Sequence, residues 1–179
     1  MASVLAFQQL VSPDDATPRL RRALAACWVE VTNAGGAAGF PFAPVDAATV
    51  VPALDRLAQS LSPDTSRLLL ASLDGELAGW LNVRRDRFEL IAHWGTVHHV
   101  QTRTDVRGRG VGRALLEEVR RVAKEEMGLE QLRLAARGGA GLEDFYGRLG
   151  WREVGRWPGA LWLAAGDDRD EILMLLAPL

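Results

Sequence analysis

The chain has 179 residues, 48% of them hydrophobic and 25% charged, with a formal net charge of −2. That length and balance fit a single compact domain, residues 1–179, with a sizeable core. The charge argues against a general nucleic-acid binder, so any polyanion site must be local.

In chain order, the apolar stretch SVLAFQQLV reads as a first strand, ended by Ser12-Pro13-Asp14-Asp15. PRLRRALAACWVEV carries Leu20, Leu24, Cys27, Trp28 and Val31 at the spacing of one helix face. TNAGGAAGFPFAP is too rich in Gly, Ala and Pro to stay helical. Asp46 is placed to cap a second helix over AATVVPALDRLAQSL, where Pro52 warns of a kink. RLLLASL and ELAGWLNVRR flank Asp74-Gly75, a strong hairpin signal. HWGTVHHVQTRT reads as another strand. A long helix follows over VGRALLEEVRRVAKEEMG, with Val111, Leu115, Val119 and Val122 on one stripe and Gly128 as its C-terminal cap. EQLRLAA is a strand, GLEDFYGRLGW a short helix stopping at Gly150, and REVGRWPG and EILMLLAPL are final strands. This order describes an α/β domain around a mixed sheet.

The stretch VRGRGVGRALL, Val106 to Leu116, concentrates three glycines and three arginines just before the long helix. A helix start exposes unpaired N–H groups and the positive end of the macrodipole. Glycine lets the backbone approach a ligand and adopt positive φ, so the turn is a candidate phosphate cradle. A P-loop requires a lysine that is missing here, and a Rossmann turn requires glycine where Arg113 stands. Arg107, Gly110 and Gly112 instead match Arg/Gln-x-x-Gly-x-Gly/Ala in full.

With that motif, and with Phe145 to Trp151 (FYGRLGW) at a matching distance downstream, the chain resembles GNAT-superfamily N-acetyltransferases. The resemblance implies a GNAT-like mixed, mostly antiparallel central sheet of about seven strands flanked by about four helices. It implies acetyl-CoA as co-substrate and transfer of its acetyl group to a primary amine. The pantetheine arm would lie along Val100, Gln101 and Thr102, and the pyrophosphate would meet the amides of Arg107, Gly108, Arg109, Gly110, Val111, Gly112 and Arg113. The three arginines would add charge toward a 3′-phosphate; the plain alternative is solvated surface.

Tyr146, the one tyrosine, resembles the family's general acid near the thioester sulfur. The place of the usual glutamate base falls at Thr96, which cannot serve. His98 and His99 follow, one on each side of a regular strand, and His98 shares the face of Thr96; a bulge would reverse that preference. His93 is expected at a strand end. Gly139 stands where relatives often carry an asparagine that bonds the pantetheine.

VTNAGGAAGFPF and VGRWPGAL resemble segments of tabtoxin-resistance acetyltransferases, which act on a small, amino-acid-like toxin. The acceptor would then meet Phe40 and Phe42, with Glu30 or Asp46 anchoring its ammonium. Trp80, Trp94, Trp157 and Trp162 suit a pocket, an interface or the core. Three histidines on one strand and a lone Cys27 give no metal-ligand spacing, so no metal is expected, and Cys27 reads as a small buried hydrophobe. One cysteine, no bilayer-length apolar run and no basic leader segment predict a cytoplasmic location with no membrane partner. A homodimer through the apolar C-terminal strand stays open. So do two other functions: a non-catalytic acyl-CoA sensor, and acetylation of proteins or peptides.

Overall fold

The computed structural model describes residues 4–36, 38–40 and 42–179. Ser3 of the expected first strand, and Ala37 and Pro41 of the expected Gly- and Ala-rich wall, lie outside the described residues. Among the described residues seven strands form one sheet: β1 (Leu5–Leu10), β2 (Ser66–Leu73), β3 (Glu76–Arg85), β4 (Trp94–Thr102), β5 (Gln131–Arg137), β6 (Arg152–Ala164) and β7 (Asp167–Leu176). Four α-helices flank it: α1 (Pro18–Asn33), α2 (Ala47–Gln59), α3 (Val111–Arg121) and α4 (Leu142–Gly147). The strand order is β1-β2-β3-β4-β5-β7-β6, antiparallel throughout except between β4 and β5. The mixed, mostly antiparallel sheet expected from the sequence is therefore present.

Local chemistry accounts for the element ends. The Thr17 side chain accepts from the Leu20 amide at 3.3 Å at the start of α1, and Pro18 opens its first turn. The helix runs through Thr32 and Asn33, which the sequence pattern assigns to the loop. Asn33 then acts as a strand-like partner, accepting from Val45 N at 2.7 Å and donating to Val45 O at 2.9 Å. Asp46 caps α2, accepting from the Thr49 amide at 2.9 Å. Pro52 stays inside that helix on its exposed side, where water can serve the carbonyl that lost its donor. Asp74 and Gly75 take φ of 53° and 86° and close the β2–β3 hairpin.

Three elements depart from the sequence pattern. The single long helix expected to Gly128 gives way at Val122–Glu126 to a wide π turn, where Met127 N donates to Val122 O. The next helix ends at Gly147, not Gly150, because Leu149 N and Trp151 N both turn back to Tyr146 O. The strand at REVGRWPG runs on to Ala164, 13 residues in all, and the last strand starts at Asp167 and ends at Leu176, earlier at both ends than EILMLLAPL suggests. β6 is an edge strand, so Pro158 leaves no ladder bond unmade, and a register shift between Trp157 and Leu161 absorbs the Pro-Gly pair.

Two apolar clusters fill the two faces. One joins α3 and Tyr146 to Leu69, Leu81, Val97, Leu132 and Ile172. The other joins α1 and α2 to Leu10, Leu68, Leu70 and Trp80. Because α1 and α2 cover only one half of the sheet, the same face of the other half leaves Trp157 68% and Leu173 45% exposed.

Candidate active site

The Gly-rich turn begins with a short 3-10 turn, Thr104–Val106, and enters α3 through Gly110. Gly108 and Gly110 have φ of 77° and 83°, backbone that a side chain strains. No heavy atom lies within 4 Å of where a Cβ would sit on either, so the turn faces open space. Among the described residues the amides of Gly110, Val111, Gly112 and Arg113 donate to no backbone carbonyl, whereas Ala114 N closes the first turn on Gly110 O at 2.9 Å. Four consecutive donors at the positive end of a helix are an anion-binding arrangement. Arg107 and Arg109 are exposed at this turn. Arg113 bonds Glu117 at 2.8 Å, an exposed pair of little energetic weight that turns its charge along the helix.

Beside the turn the sheet opens. β4 and β5 pair over only three residues, ending at Thr96 opposite Arg133. Beyond that point the strands part, and a cavity of about 850 Å³ lies between them. It is bounded by β4 from Thr96 to Thr102, by the Gly-rich turn, by Leu134 and Arg137 of β5, and by Phe145 and Tyr146. Val100, Gln101 and Thr102 thus line it together with Arg107, Gly108, Gly110, Val111, Gly112 and Arg113. The Gln101 side chain itself turns into the core, its Oε1 3.9 Å from Cys27 Sγ. Gly112 packs closely here, since a Cβ would meet Thr102 Oγ1 at 3.3 Å.

Tyr146 is 7% exposed and also lines the cavity, its ring 5.3 Å from Phe145 and 5.9 Å from Trp151. Burial pushes its phenol up to about 12, so it holds its proton at neutral pH.

The histidines correct one expectation. β4 is not regular: the register with β3 shifts between Trp80 and Asn82, and His99 takes φ 55°. This bulge brings both rings to the same side, 5.9 Å apart, where a regular strand would have divided them. His93 precedes β4, so it is not on the strand with them. The Nδ1 of His99 lies 3.2 Å from Ala38 O, and its ring packs 4.8 Å from Trp28. Burial first, then His99, Arg84 and Arg133, lower His98 to about 4. Burial, and to a lesser degree Arg84, lower His99, opposed by the Ala38 bond. Thr96 accepts from Arg133 Nε at 3.1 Å.

On the acceptor side the residues scatter. Glu30 does not line the cavity; its Oε1 accepts from Thr104 N at 2.7 Å and from the Thr104 hydroxyl, and these bonds lower its pKa. It fastens α1 to the turn that leads into the Gly-rich loop. Asp46 is engaged as the α2 cap. Phe40 packs at a tilt 4.9 Å from Trp28 and lines a second groove of about 350 Å³, bounded also by Trp162, Arg137 and Glu171. Phe42 is exposed and meets Trp162 at 5.9 Å. Trp80 is fully buried, and Trp94 lies 3.7 Å under the Arg133 guanidinium. Gly139 has φ 78°, and the Arg169 guanidinium fills the space a Cβ would need. Cys27 is buried, with its thiol pushed up to about 12 chiefly by that burial. Among the described residues no group of three metal-ligating side chains occurs, and no helix is long and apolar enough to cross a membrane.

Sequence reasoning did not single out Arg137 and Glu171. They are register partners on β5 and β7, and only strand pairing brings them together.

Residues 23–151 match the acetyltransferase (GNAT) family. Among solved structures, a candidate phosphinothricin N-acetyltransferase is 18% identical over 97% of this chain and 98% of its own, with a TM-score of 0.77. The ribosomal-protein-alanine N-acetyltransferase of Brucella melitensis is 20% identical over 96% and 99%, with a TM-score of 0.71. A curated relative, the tRNA uridine(34) acetyltransferase of Methanocaldococcus jannaschii, is 41% identical over 51 residues, which are 28% of this chain and 9% of that protein. Their names span small-molecule, protein and RNA acceptors, so fold alone does not choose among them.

Proposed function

Because this chain belongs to the acetyltransferase (GNAT) family, we propose that it transfers the acetyl group of acetyl-CoA to the primary amine of a small, amino-acid-like molecule. One observation carries the donor half: the amides of Gly110 to Arg113, which among the described residues donate to no backbone carbonyl, sit at a helix start with a left-handed Gly110 cap on the rim of the opened sheet. The residues present fit acetyl-CoA. The amides suit its diphosphate, and the β4 edge at Val100 to Thr102, freed where β5 departs, suits the amides of its arm.

Bound acetyl-CoA would supply an activated acyl group. The chain's own groups do the rest. Tyr146, protonated at neutral pH, donates to the departing sulfur. A neutral β4 histidine on the cavity wall takes the proton released by the amine.

For the acceptor, the smaller groove shares Gly39, Ala135 and Arg137 with the main cavity. Arg137 and Glu171 face each other across the β5–β7 register, and neither forms an ion pair among the described residues. A guanidinium suits a carboxylate or phosphinate, and a carboxylate suits an ammonium. An acceptor carrying both groups fits that pair.

The test is thiol release from acetyl-CoA with free phosphinothricin, simple alkylamines and an N-terminal-alanine peptide. Turnover with phosphinothricin above the alkylamines is expected, falling about tenfold in Arg137→Leu through KM. Turnover confined to the peptide would replace this acceptor by a protein terminus. Acetyl-CoA binding with no turnover on any of them would make the chain a sensor.

A further inference from the structure

We propose that Nε2 of His99, not a nitrogen of His98, accepts the proton from the acceptor amine. The assignment rests on the acetyltransferase reading above and names the base of that site. Four observations converge on it. His99 is the bulge residue of β4, held at φ 55°, a backbone conformation that a non-glycine residue keeps only where its surroundings enforce it. The surroundings do so: Trp28 packs on the ring at 4.8 Å, Trp80 lies at 6.1 Å, and Gly39 leaves no room for a Cβ, which would stand 2.8 Å from both Cε1 and Nδ1. The third observation sets the tautomer. Nδ1 is 3.2 Å from the Ala38 carbonyl, and a carbonyl can only accept, so Nδ1 carries the hydrogen. In the neutral ring Nε2 is then the lone-pair nitrogen, and among the described residues it makes no hydrogen bond. The fourth is position: His99 lines the cavity where β4 has left β5. His98 lines it too, but among the described residues no hydrogen bond orients its ring.

The proton balance closes. The amine nitrogen forms a bond to the acetyl carbon as the carbon–sulfur bond breaks. The nitrogen's proton passes to Nε2 of His99, and the sulfur takes the phenol proton of Tyr146. Water returns the imidazolium proton to the phenolate. The charged group acting on His99 is Arg84 of β3, which opposes its protonated form, and the neutral His98 ring of β4 stands 5.9 Å away.

Two measurements test the assignment. Histidine ¹⁵N spectra of the ligand-free protein should show His99 protonated at Nδ1 and bare at Nε2 near pH 7, gaining its second proton only below about 6.5. The opposite tautomer would overturn the proposal. His99→Gly, which accepts φ 55° without strain, should lose about 100-fold in kcat with little change in acetyl-CoA affinity. Added imidazole should restore turnover in proportion to its unprotonated fraction, whereas pyrazole, of the same shape but nearly non-basic, should not. Equal rescue by both would leave His99 only a packing role, and an unchanged kcat would remove it as the base. If the glycine variant does not fold, His99→Asn tolerates the same φ, keeps a donor for Ala38 and should lose the acidic limb of the kcat profile; retention of that limb overturns the proposal. A wild-type chain that binds acetyl-CoA yet acetylates no acceptor overturns the parent reading and this assignment together. Normal wild-type turnover beside an unaltered variant overturns this one alone.

Discussion

Tyr146 holds its proton because its surroundings are apolar: Phe145, Trp151 and the α3 core exclude the water that would solvate a phenolate. Tyr146→Phe keeps the ring and the packing, so kcat should fall about 100-fold while acetyl-CoA affinity measured by calorimetry stays within twofold. With the phenol near 12, kcat should show no alkaline fall from this group up to about pH 10. His98 supplies a stability prediction. Its pKa falls from 6.5 in the unfolded chain to about 4 in the folded one, so the unfolded state binds the proton more tightly between those values. Stability should be flat above pH 6.5 and decline as pH drops toward 4, and His98→Gln should remove part of that decline in thermal melts. Tyr146 was legible in FYGRLGW because a short helix keeps its neighbours close in sequence. The relation of His98 to His99 was not, since alternation assumes a regular strand and a bulge leaves no composition of its own.

At the scale of elements, the Gly-rich turn and α3 separate conformational cost from packing cost. Gly110→Ala meets no atom within 4 Å, but its φ is 83°, so the penalty is backbone strain of about 1 kcal/mol. Relief of that strain would rotate the amides of the cradle, and acetyl-CoA affinity should weaken about tenfold or more by calorimetry. Gly112→Ala differs: its Cβ would press on Thr102 Oγ1 at 3.3 Å, against the strand proposed to hold the pantetheine arm. There KM for acetyl-CoA should rise with a smaller loss of stability than in Gly110→Ala. Helix starts and the Asp74-Gly75 hairpin were readable because capping and positive φ demand particular residues. The π turn at Val122–Glu126 and the full β6–β7 hairpin were not. Glu126 in that turn accepts from Gln9 and Arg67, and β6 runs past Pro158 because it is an edge, facts that depend on distant partners.

For the whole molecule, two cores on opposite faces hold the sheet that positions both halves of the site. Leu115 is fully buried in the cluster beneath the cavity, and Leu115→Ala should cost about 2–5 kcal/mol in urea unfolding. Saturating CoA should act in the other sense: at about 100 times its Kd it should stabilise by about 2.7 kcal/mol, read as a higher Tm. The chain by itself determined the α/β class, the element order, the Gly-rich helix start proposed to bind an anion and the candidate acid. Each of these rests on residues within a few positions of one another, where period, capping and glycine conformation act. Tertiary structure alone decided the cleft where β4 leaves β5, the union of His98 and His99 on one face, the use of Glu30 as a loop fastener and the pairing of Arg137 with Glu171. Those depend on strand register and on contacts between residues tens of positions apart, which no local pattern of side chains encodes.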